Sequence, residues 1–273
     1  MTSIIGSLTA QQISTLSTTV ISTLTTTDVG ALTATQIGAL SGTQINSLNT
    51  TDLQALSPTT QITGFSTQAM PSLSIGTLLA LSAVQVGHFD TSQIDALTTT
   101  QLNGLSTTSL DALRVANLST TQVAGLTTTS ITALSTTQAE GLTSTQVGAL
   151  TAAQIGALSS TEIQAWSASQ AGALTATQIG GLTTTAFGNL STTQIGSLTA
   201  TQVHGLTTTQ LNSIATSALD ALSVANLTTT QVAGLTTTSI GNLTTTQGGA
   251  FTTSQIQALS SAQLGALLAL TAS

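Results

Sequence analysis

Residues 32–48 read LTATQIGALSGTQINSL, an eight-residue phrase written twice with a leucine opening each copy. The phrase continues through almost all of the 273-residue chain. The apolar residues that open successive phrases, from Leu8 to Leu267, are eight residues apart thirty times, nine residues apart once and five residues apart twice. Positions of this octad are numbered from its opening apolar residue. A unit this short cannot bury a core alone, so the repeat predicts a solenoid of stacked octads.

Each octad carries the signals that begin an α-helix. Position 2 is Ser, Thr, Asn or Asp in 29 of the thirty eight-residue phrases, Ala215 being the exception, and these residues are the preferred N-caps. Position 5 is Gln, Asp or Glu in 22 phrases, and position 6 is a large apolar residue in 27. These two positions complete a capping box and a hydrophobic staple. Pro58 directly follows Ser57, at the first helical position, where proline is tolerated.

The octad therefore predicts one short helix and its turn. We expect an all-α solenoid of about thirty short capped helices, with positions 1 and 6 facing inward. The alternative is a β-solenoid, which the abundance of threonine favours. Positions 1 and 6 have opposite parity along a strand, so that alternative needs a turn between them.

Two further features bear on the core. The five-residue steps are LRVANL at 113–118 and LSVANL at 222–227. The apolar spacing of LDALRVANL predicts that each step lengthens one helix by more than a turn. All five aromatic side chains occupy inward positions and are expected to fill the core: Phe65, Phe89, Trp166, Phe187 and Phe251.

A larger duplication overlies the octads. Residues 98–118 match residues 207–227, and each copy contains one of the five-residue steps. Because no linker or shift in composition interrupts the pattern, we expect a single repeat domain over residues 1–273.

Charged residues make up only 3% of the chain, against about a quarter in ordinary soluble domains. There is no lysine, a single arginine (Arg114) and a net charge of −7. Phosphate contacts require cations, so nucleic-acid binding is not expected. No run of eighteen apolar residues occurs, so insertion into a membrane is not expected either.

No catalytic, cofactor-binding or metal-binding residue is predicted, and the chain is not expected to be an enzyme. His88 and His204 fall at different octad positions, and there is no cysteine. The carboxylates fit structural roles: capping-box positions for Asp28, Asp52 and Glu162, an N-cap for Asp90, and equivalent places in the duplication for Asp111 and Asp220. Five Asn-X-Ser/Thr sequons follow from the octad pattern itself: Asn49, Asn117, Asn189, Asn226 and Asn242.

Two resemblances follow from the octad. The phrase L-T-x-x-Q-[IV] resembles the opening of the repeats of TAL effectors, over six residues of a longer unit. Arrays such as LTAAQIGALSSTEIQAW at 150–166 resemble the Thr/Ala-rich repeat regions of large bacterial surface and secreted proteins, described as adhesin-like. This second resemblance covers nearly the whole chain. It implies a cell-surface or extracellular role and no catalytic residue.

The functional prediction is a structural protein that assembles with itself, head to tail, into an extracellular filament or matrix fibre. The beginning, MTSIIGSL, and the end, SAQLGALLALTAS, are as apolar as the interior, so we expect both ends of the solenoid to be open for stacking. No N-terminal signal peptide is recognisable, and residues 260–273 are compatible with an uncleaved C-terminal signal. The alternative is an ice-binding or surface adhesin repeat protein, in which threonines at octad positions 3 and 4 are aligned and exposed.

Overall fold

The computed structural model describes residues 4–271. Within that range the chain forms 29 α-helices and five 3₁₀ helices and contains no strand. The predicted all-α architecture of short helices is confirmed, and the β-solenoid alternative is wrong for these residues.

The helices are numbered in chain order. The α-helices are α1 Ala10–Ser14, α2 Thr18–Ile21, α3 Thr26–Gly30, α4 Ala34–Gly38, α5 Gly42–Ile45, α6 Thr50–Ala55, α7 Ile75–Ala80, α8 Ala83–Val86, α9 Thr91–Asp95, α10 Thr99–Gly104, α11 Thr107–Ala112, α12 Thr120–Ala124, α13 Thr128–Thr132, α14 Thr136–Gly141, α15 Ser144–Ala149, α16 Ala152–Ala157, α17 Ser160–Gln164, α18 Ala168–Gly172, α19 Ala176–Gly181, α20 Thr184–Gly188, α21 Thr192–Gly196, α22 Ala200–His204, α23 Thr208–Ser213, α24 Thr216–Ala221, α25 Thr229–Ala233, α26 Thr237–Gly241, α27 Thr245–Gly249, α28 Thr253–Gln257 and α29 Ser261–Thr271. The 3₁₀ helices are η1 Ile5–Ser7, η2 Ile62–Gly64, η3 Met70–Ser72, η4 Val115–Asn117 and η5 Val224–Asn226.

The helix starts have the predicted cap geometry. In α4 the N-cap Thr33 has extended backbone angles, and its Oγ1 accepts the amide proton of Gln36 at 3.2 Å. The side chain of Gln36 returns the bond, since its Oε1 accepts from the amide of Thr33 at 2.7 Å. The box satisfies two amides that a free helix end would leave without partners.

The cap of α24 offers a test of this contribution. Its N-cap is Ala215, which makes no side-chain cap bond, whereas the equivalent Ser106 of α11 accepts the amide proton of Ser109 at 3.1 Å. We expect Ala215→Ser to raise the free energy of unfolding by about 1 kcal/mol, and Ser106→Ala to lower it by a similar amount. Urea unfolding followed by circular dichroism measures both. A destabilising Ala215→Ser would contradict the assignment of this cap.

Three consecutive octads form one coil of the solenoid, and within each unit glutamine side chains bind a coil to the one before. Gln210 Nε2 in α23 donates to the carbonyl oxygens of Ile179 and Leu182, at 2.7 and 2.8 Å. Leu182 opens the octad three phrases before that of Gln210. The same bond pattern recurs at position 5 within each unit, for example at Gln36 in α4 and at Gln263 in α29, and it places an octad on the octad three before it.

Positions 1 and 6 form the core, as predicted. Side chains such as Leu150 and Ile155 are almost fully buried, and all five aromatic residues are buried with them. Phe65 and Phe89, one coil apart, lie with ring centroids 6.5 Å apart. Burial of a large apolar side chain contributes about 1.5–3 kcal/mol, so each coil draws its stability mainly from these two positions.

The prediction for the five-residue steps is wrong. Helix α11 ends at Ala112, and residues 115–117 form the separate 3₁₀ helix η4 instead of lengthening α11. Val115 is buried, and the shortened phrase serves as one complete side of a coil. Gln138 consequently reaches the carbonyl of Leu113 across 25 residues, where the uninterrupted coil bridged by Gln210 spans 28. Packing of the coil favours η4 over a longer α11, because one turn of 3₁₀ helix is enough to bring Leu118 to its inward position.

The interpretation of Pro58 as the first residue of an α-helix is also wrong. Residues 58–61 form a turn that leads into η2. This phrase has nine residues, so Gln61 lies four residues after Ser57 and accepts its amide proton across that longer separation, at 2.8 Å. The extra residue is absorbed in the turn, and Gln61 still donates to the carbonyl of Leu32 in the preceding coil.

The chain packs as two compact units, residues 1–141 and 142–273. Unit 1 contains η4 and unit 2 contains η5, so each unit holds one copy of the internal duplication. The same stacking of three-octad coils builds both units. The expectation of a single repeat domain over 1–273 stays a prediction.

Candidate assembly surface

Eight large apolar side chains are exposed among residues 4–271. Five of them lie in the first described coil, taken as residues 4–31, and in the last, taken as residues 251–271. Ile4 and Val20 belong to the first coil, and Ile256, Leu264 and Leu268 belong to the last. The other three, Ile75, Leu79 and Val84, lie on α7 and α8 in unit 1. Regular interior octads bury their large apolar residues, so these groups are departures from the pattern.

The first coil differs from the others at octad position 5. Gln12 accepts the amide proton of Thr9 but is itself exposed, Val20 is 42% exposed, and Asp28 is half-buried. In later coils this position is usually a buried glutamine whose amide contacts the coil before it. Val20 therefore leaves an apolar side chain in the place that a neighbouring coil covers elsewhere.

The last coil ends in α29, which at eleven residues is longer than the four to six residues of the other α-helices. The helix continues through Leu267, the residue that would open another octad, and packs against α26 and α27. Leu267 is buried, whereas Leu264 is 36% and Leu268 60% exposed. The outward side of α29 is therefore apolar.

Most of the singled-out polar residues occupy the predicted structural places. Asp90 caps α9 by accepting the amide proton of Gln93, and Glu162 accepts the amide proton of Ser159 in the capping box of α17. Asp111 has a role that the pattern did not specify, because its Oδ1 accepts the amide proton of Ser135. His204 is the last residue of α22 and is exposed.

The structure reveals a group of asparagines that sequence reasoning missed. In three octads with Ser or Thr at position 5, an Asn from the preceding coil replaces the missing amide. Asn103 accepts from the amide of Thr127 at 2.9 Å and from the hydroxyl of Ser130 at 2.7 Å, and it donates to the carbonyl of Gly125. Asn212 makes the equivalent bonds in unit 2. In the sequence these bonds are indicated by an Asn at octad position 7 that is followed, 27 or 31 residues later, by a Ser or Thr at position 5.

Asp52 is a buried carboxylate whose pKa is shifted. It occupies the glutamine position of α6 and is 2% exposed. Burial raises the pKa of Asp52 above its ordinary value, although the Asn49 side-chain amide, which donates to the carboxylate, acts in the opposite direction. The folded state therefore holds this proton more tightly than the unfolded chain does.

This shift predicts how pH changes stability. The stabilisation is present below the unfolded pKa and is lost as the pH rises through the folded pKa. We expect Asp52→Gln to be more stable than the parent chain at neutral pH and to remove this pH dependence. The new amide can also donate to the carbonyls of Leu24 and Ile21, which stand where other coils place the acceptors of their glutamines. Urea unfolding at about pH 3 and pH 7 measures the effect.

The matched control is Asp95→Asn, since Asp95 is exposed. It should leave both the neutral-pH stability and its pH dependence almost unchanged. A similar gain from both variants would mean that net charge, and not burial of Asp52, sets the pH dependence.

Among residues 4–271, no three His, Cys, Asp or Glu side chains come close enough together to hold a metal ion. No helix in the same range has the length and hydropathy to cross a bilayer.

One family model matches part of this repeat array. The model of the ALTTAQ repeat matches residues 115–152 and 152–184. This stretch is similar to the ALTTAQ repeat. The ALTTAQ-like region runs along the sequence from η4 to α19 and contains octads of the regular kind, such as LTAAQIGA at 150–157. No curated protein matches the chain. The ALTTAQ match supports a repeat family and carries no activity with it.

Proposed function

We propose that this chain is a structural repeat protein that assembles with itself, head to tail, into an extracellular filament or matrix fibre. The observation that carries the proposal is the exposed apolar surface in both terminal coils, made of Ile4 and Val20 in the first and Ile256, Leu264 and Leu268 in the last. Burying a large apolar side chain contributes about 1.5–3 kcal/mol. Contact between these two surfaces of different copies is heterologous, and such a contact propagates as an open fibre when it does not close into a ring.

The scarcity of charge also supports self-association. A chain with 3% charged residues has few like-charged groups on its surface, although a net charge of −7 remains. Stacking of coils from different copies would exclude water from apolar positions as the stacking of coils within a chain does. The extracellular location rests on the resemblance to surface and secreted repeat proteins, and fractionation of the native cells tests it. Protein confined to the cytoplasm would overturn that part of the proposal.

The assembly is tested with charge substitutions at the two terminal surfaces. We expect the purified full-length chain to form filaments in negative-stain electron microscopy and to sediment as large species. Val20→Asp and Leu268→Asp should each return it to monomers. Val84→Asp is the matched control, because Val84 is 63% exposed but lies on α8, in neither terminal coil.

Three results would contradict the proposal. The parent chain could remain monomeric at high concentration, or both terminal variants could assemble like the parent. Loss of filaments in Val84→Asp alone would instead place the contact on the sides of the solenoid and exclude head-to-tail stacking.

A second candidate function, ice binding, is favoured by one column of exposed hydroxyls in unit 2. The second residues of α17, α20, α23, α25 and α28 are exposed and lie on successive coils: Thr161, Thr185, Thr209, Thr230 and Ser254. Glutamine bonds between coils hold this column in register. Ice binding predicts thermal hysteresis or arrest of ice recrystallisation by the monomeric Leu268→Asp variant. Loss of that activity in Thr185→Val and Thr209→Val would assign it to the column, and absence of both effects at high concentration would remove this candidate.

A further inference from the structure

A cavity of about 420 Å³ in unit 1 gathers several of the chain's rare ionisable side chains. It lies between the segment that joins α8 to α9 and the 3₁₀ helix η4, and its lining includes His88, Asp90, Arg114 and Asn117. The whole sequence has one arginine, no lysine, two histidines and eight acidic residues. One cation, one histidine and one carboxylate therefore line a single cavity in a chain that is almost uncharged elsewhere.

Close packing of two helices brings these side chains together. Helix α8 packs against α11, and a Cβ atom on Gly87 would lie 3.2 Å from the carbonyl oxygen of Ala112. The glycine allows the two backbones to approach this closely. His88 follows Gly87 directly, and Arg114 lies two residues after Ala112, so both flank the point of contact.

The second copy of the duplication shows that folding does not require these charged residues. In that copy Gly196 stands in the place of Gly87, and a Cβ there would lie 3.3 Å from the carbonyl oxygen of Ala221. The helix η5 likewise matches η4. The positions of His88, Asp90 and Arg114 are held in the second copy by Ser197, Thr199 and Ser223. The same backbone therefore forms with and without these three residues. The first copy contains all of them and the second copy contains none.

The hydrogen bonds of the lining define what the cavity can recognise. Nδ1 of His88 lies 2.8 Å from the carbonyl oxygen of Val84, and because a carbonyl only accepts, Nδ1 carries the proton. With the proton on Nδ1, Nε2 is the ring nitrogen that can accept. Asp90 uses Oδ1 to cap α9, and its second oxygen remains an acceptor. Arg114 is exposed and offers the planar set of donors that matches a carboxylate.

We propose that this cavity binds an acidic sugar, a hexuronate unit, whose carboxylate pairs with Arg114 and whose hydroxyls donate to His88 and Asp90. A ligand with a carboxylate alone would leave Asp90 and His88 without donors, and a neutral sugar would leave Arg114 without an anion. The volume lies within the usual range of small-molecule sites. Asn117, half-buried at the edge of the cavity, can both donate to and accept from a further hydroxyl.

Calorimetric titration of the full-length chain with galacturonate tests this site. We expect one galacturonate per chain, with galactose, acetate and glycine each binding at least tenfold more weakly. Arg114→Ser and Asp90→Thr should weaken galacturonate at least tenfold while leaving the circular dichroism spectrum unchanged, since these residues occur naturally in the second copy. Asp95→His is the control; it also introduces the second-copy residue, outside the cavity, and should bind like the parent chain.

The converse experiment builds the site where it is absent. The triple variant Ser197→His, Thr199→Asp and Ser223→Arg should raise the stoichiometry from one galacturonate to two. The proposal is overturned if galacturonate does not bind, if galactose, acetate or glycine binds equally well, or if Arg114→Ser retains the parent affinity. A stoichiometry of one in the triple variant would likewise show that the three side chains do not make the site.

Discussion

Leu78→Asp is expected to lower the free energy of unfolding by about 4 kcal/mol or more and to unfold several coils of unit 1. Leu78 is completely buried at octad position 6 of α7. A carboxylate there loses the apolar contacts of leucine and is placed in a core with no cation to pair with it. Neighbouring coils depend on the same core, so the damage should extend beyond α7.

The adjacent residue provides the matched control. Leu79 lies on the same helix and is 50% exposed. Leu79→Asp makes the same chemical change with the new carboxylate in solvent, and we expect it to change stability by less than about 1 kcal/mol. Circular dichroism and urea unfolding compare the two variants. Equal losses from both would contradict the inward and outward assignment of α7.

The second large effect is expected from Gln85→Ala. Gln85 is 1% exposed, and its Oε1 accepts the amide proton of Ser82 while its Nε2 donates to the carbonyls of Leu53 and Leu56, each at 2.8 Å. Alanine leaves the buried carbonyl of Leu56 without a donor, whereas the carbonyl of Leu53 keeps the bond from the amide of Leu56. The unsatisfied carbonyl costs about 1–3 kcal/mol and each of the two other lost hydrogen bonds about 0.5–1.5 kcal/mol, so the expected loss is about 2–6 kcal/mol.

Gln12→Ala is the control for the bonds between coils. Gln12 makes the same capping-box contact with Thr9, but it is exposed and lies in the first described coil. Its replacement should cost about 0.5–1.5 kcal/mol, the value of one ordinary hydrogen bond. The difference between the two variants in urea unfolding measures the contribution of the bonds between coils. If Gln12→Ala costs as much as Gln85→Ala, the capping box alone accounts for the glutamine.

The preference for glutamine at octad position 5 already indicated a hydrogen bond beyond the capping box. A capping box is satisfied by Glu or Asp as well as by Gln. Position 5 nevertheless holds nineteen glutamines against two aspartates and one glutamate. Only an amide can accept with one atom and donate with the other, and the structure shows that the donated bond goes to the preceding coil.

The helices and their inward faces could be predicted because they depend on contacts within a single octad. Thr33 and Gln36 satisfy each other's amides three residues apart, and such local bonds follow from residue type and spacing. The burial of positions 1 and 6 followed from the same spacing. The coil of three octads could not be predicted in this way, since it depends on contacts between distant octads, such as the bond from Gln210 to Leu182.

The sequence by itself determined where most of the α-helices begin, which side chains face the core and that the unit must be repeated, because capping and apolar spacing act locally. The tertiary structure decided the rest. It made η4 one side of a coil, where the sequence predicted a longer α11, and it brought His88, Asp90 and Arg114 to one cavity although Arg114 belongs to a later octad than the other two. Stacking of coils is the physical reason, since it joins residues whose separation depends on the number of octads per coil, a quantity that no single octad contains.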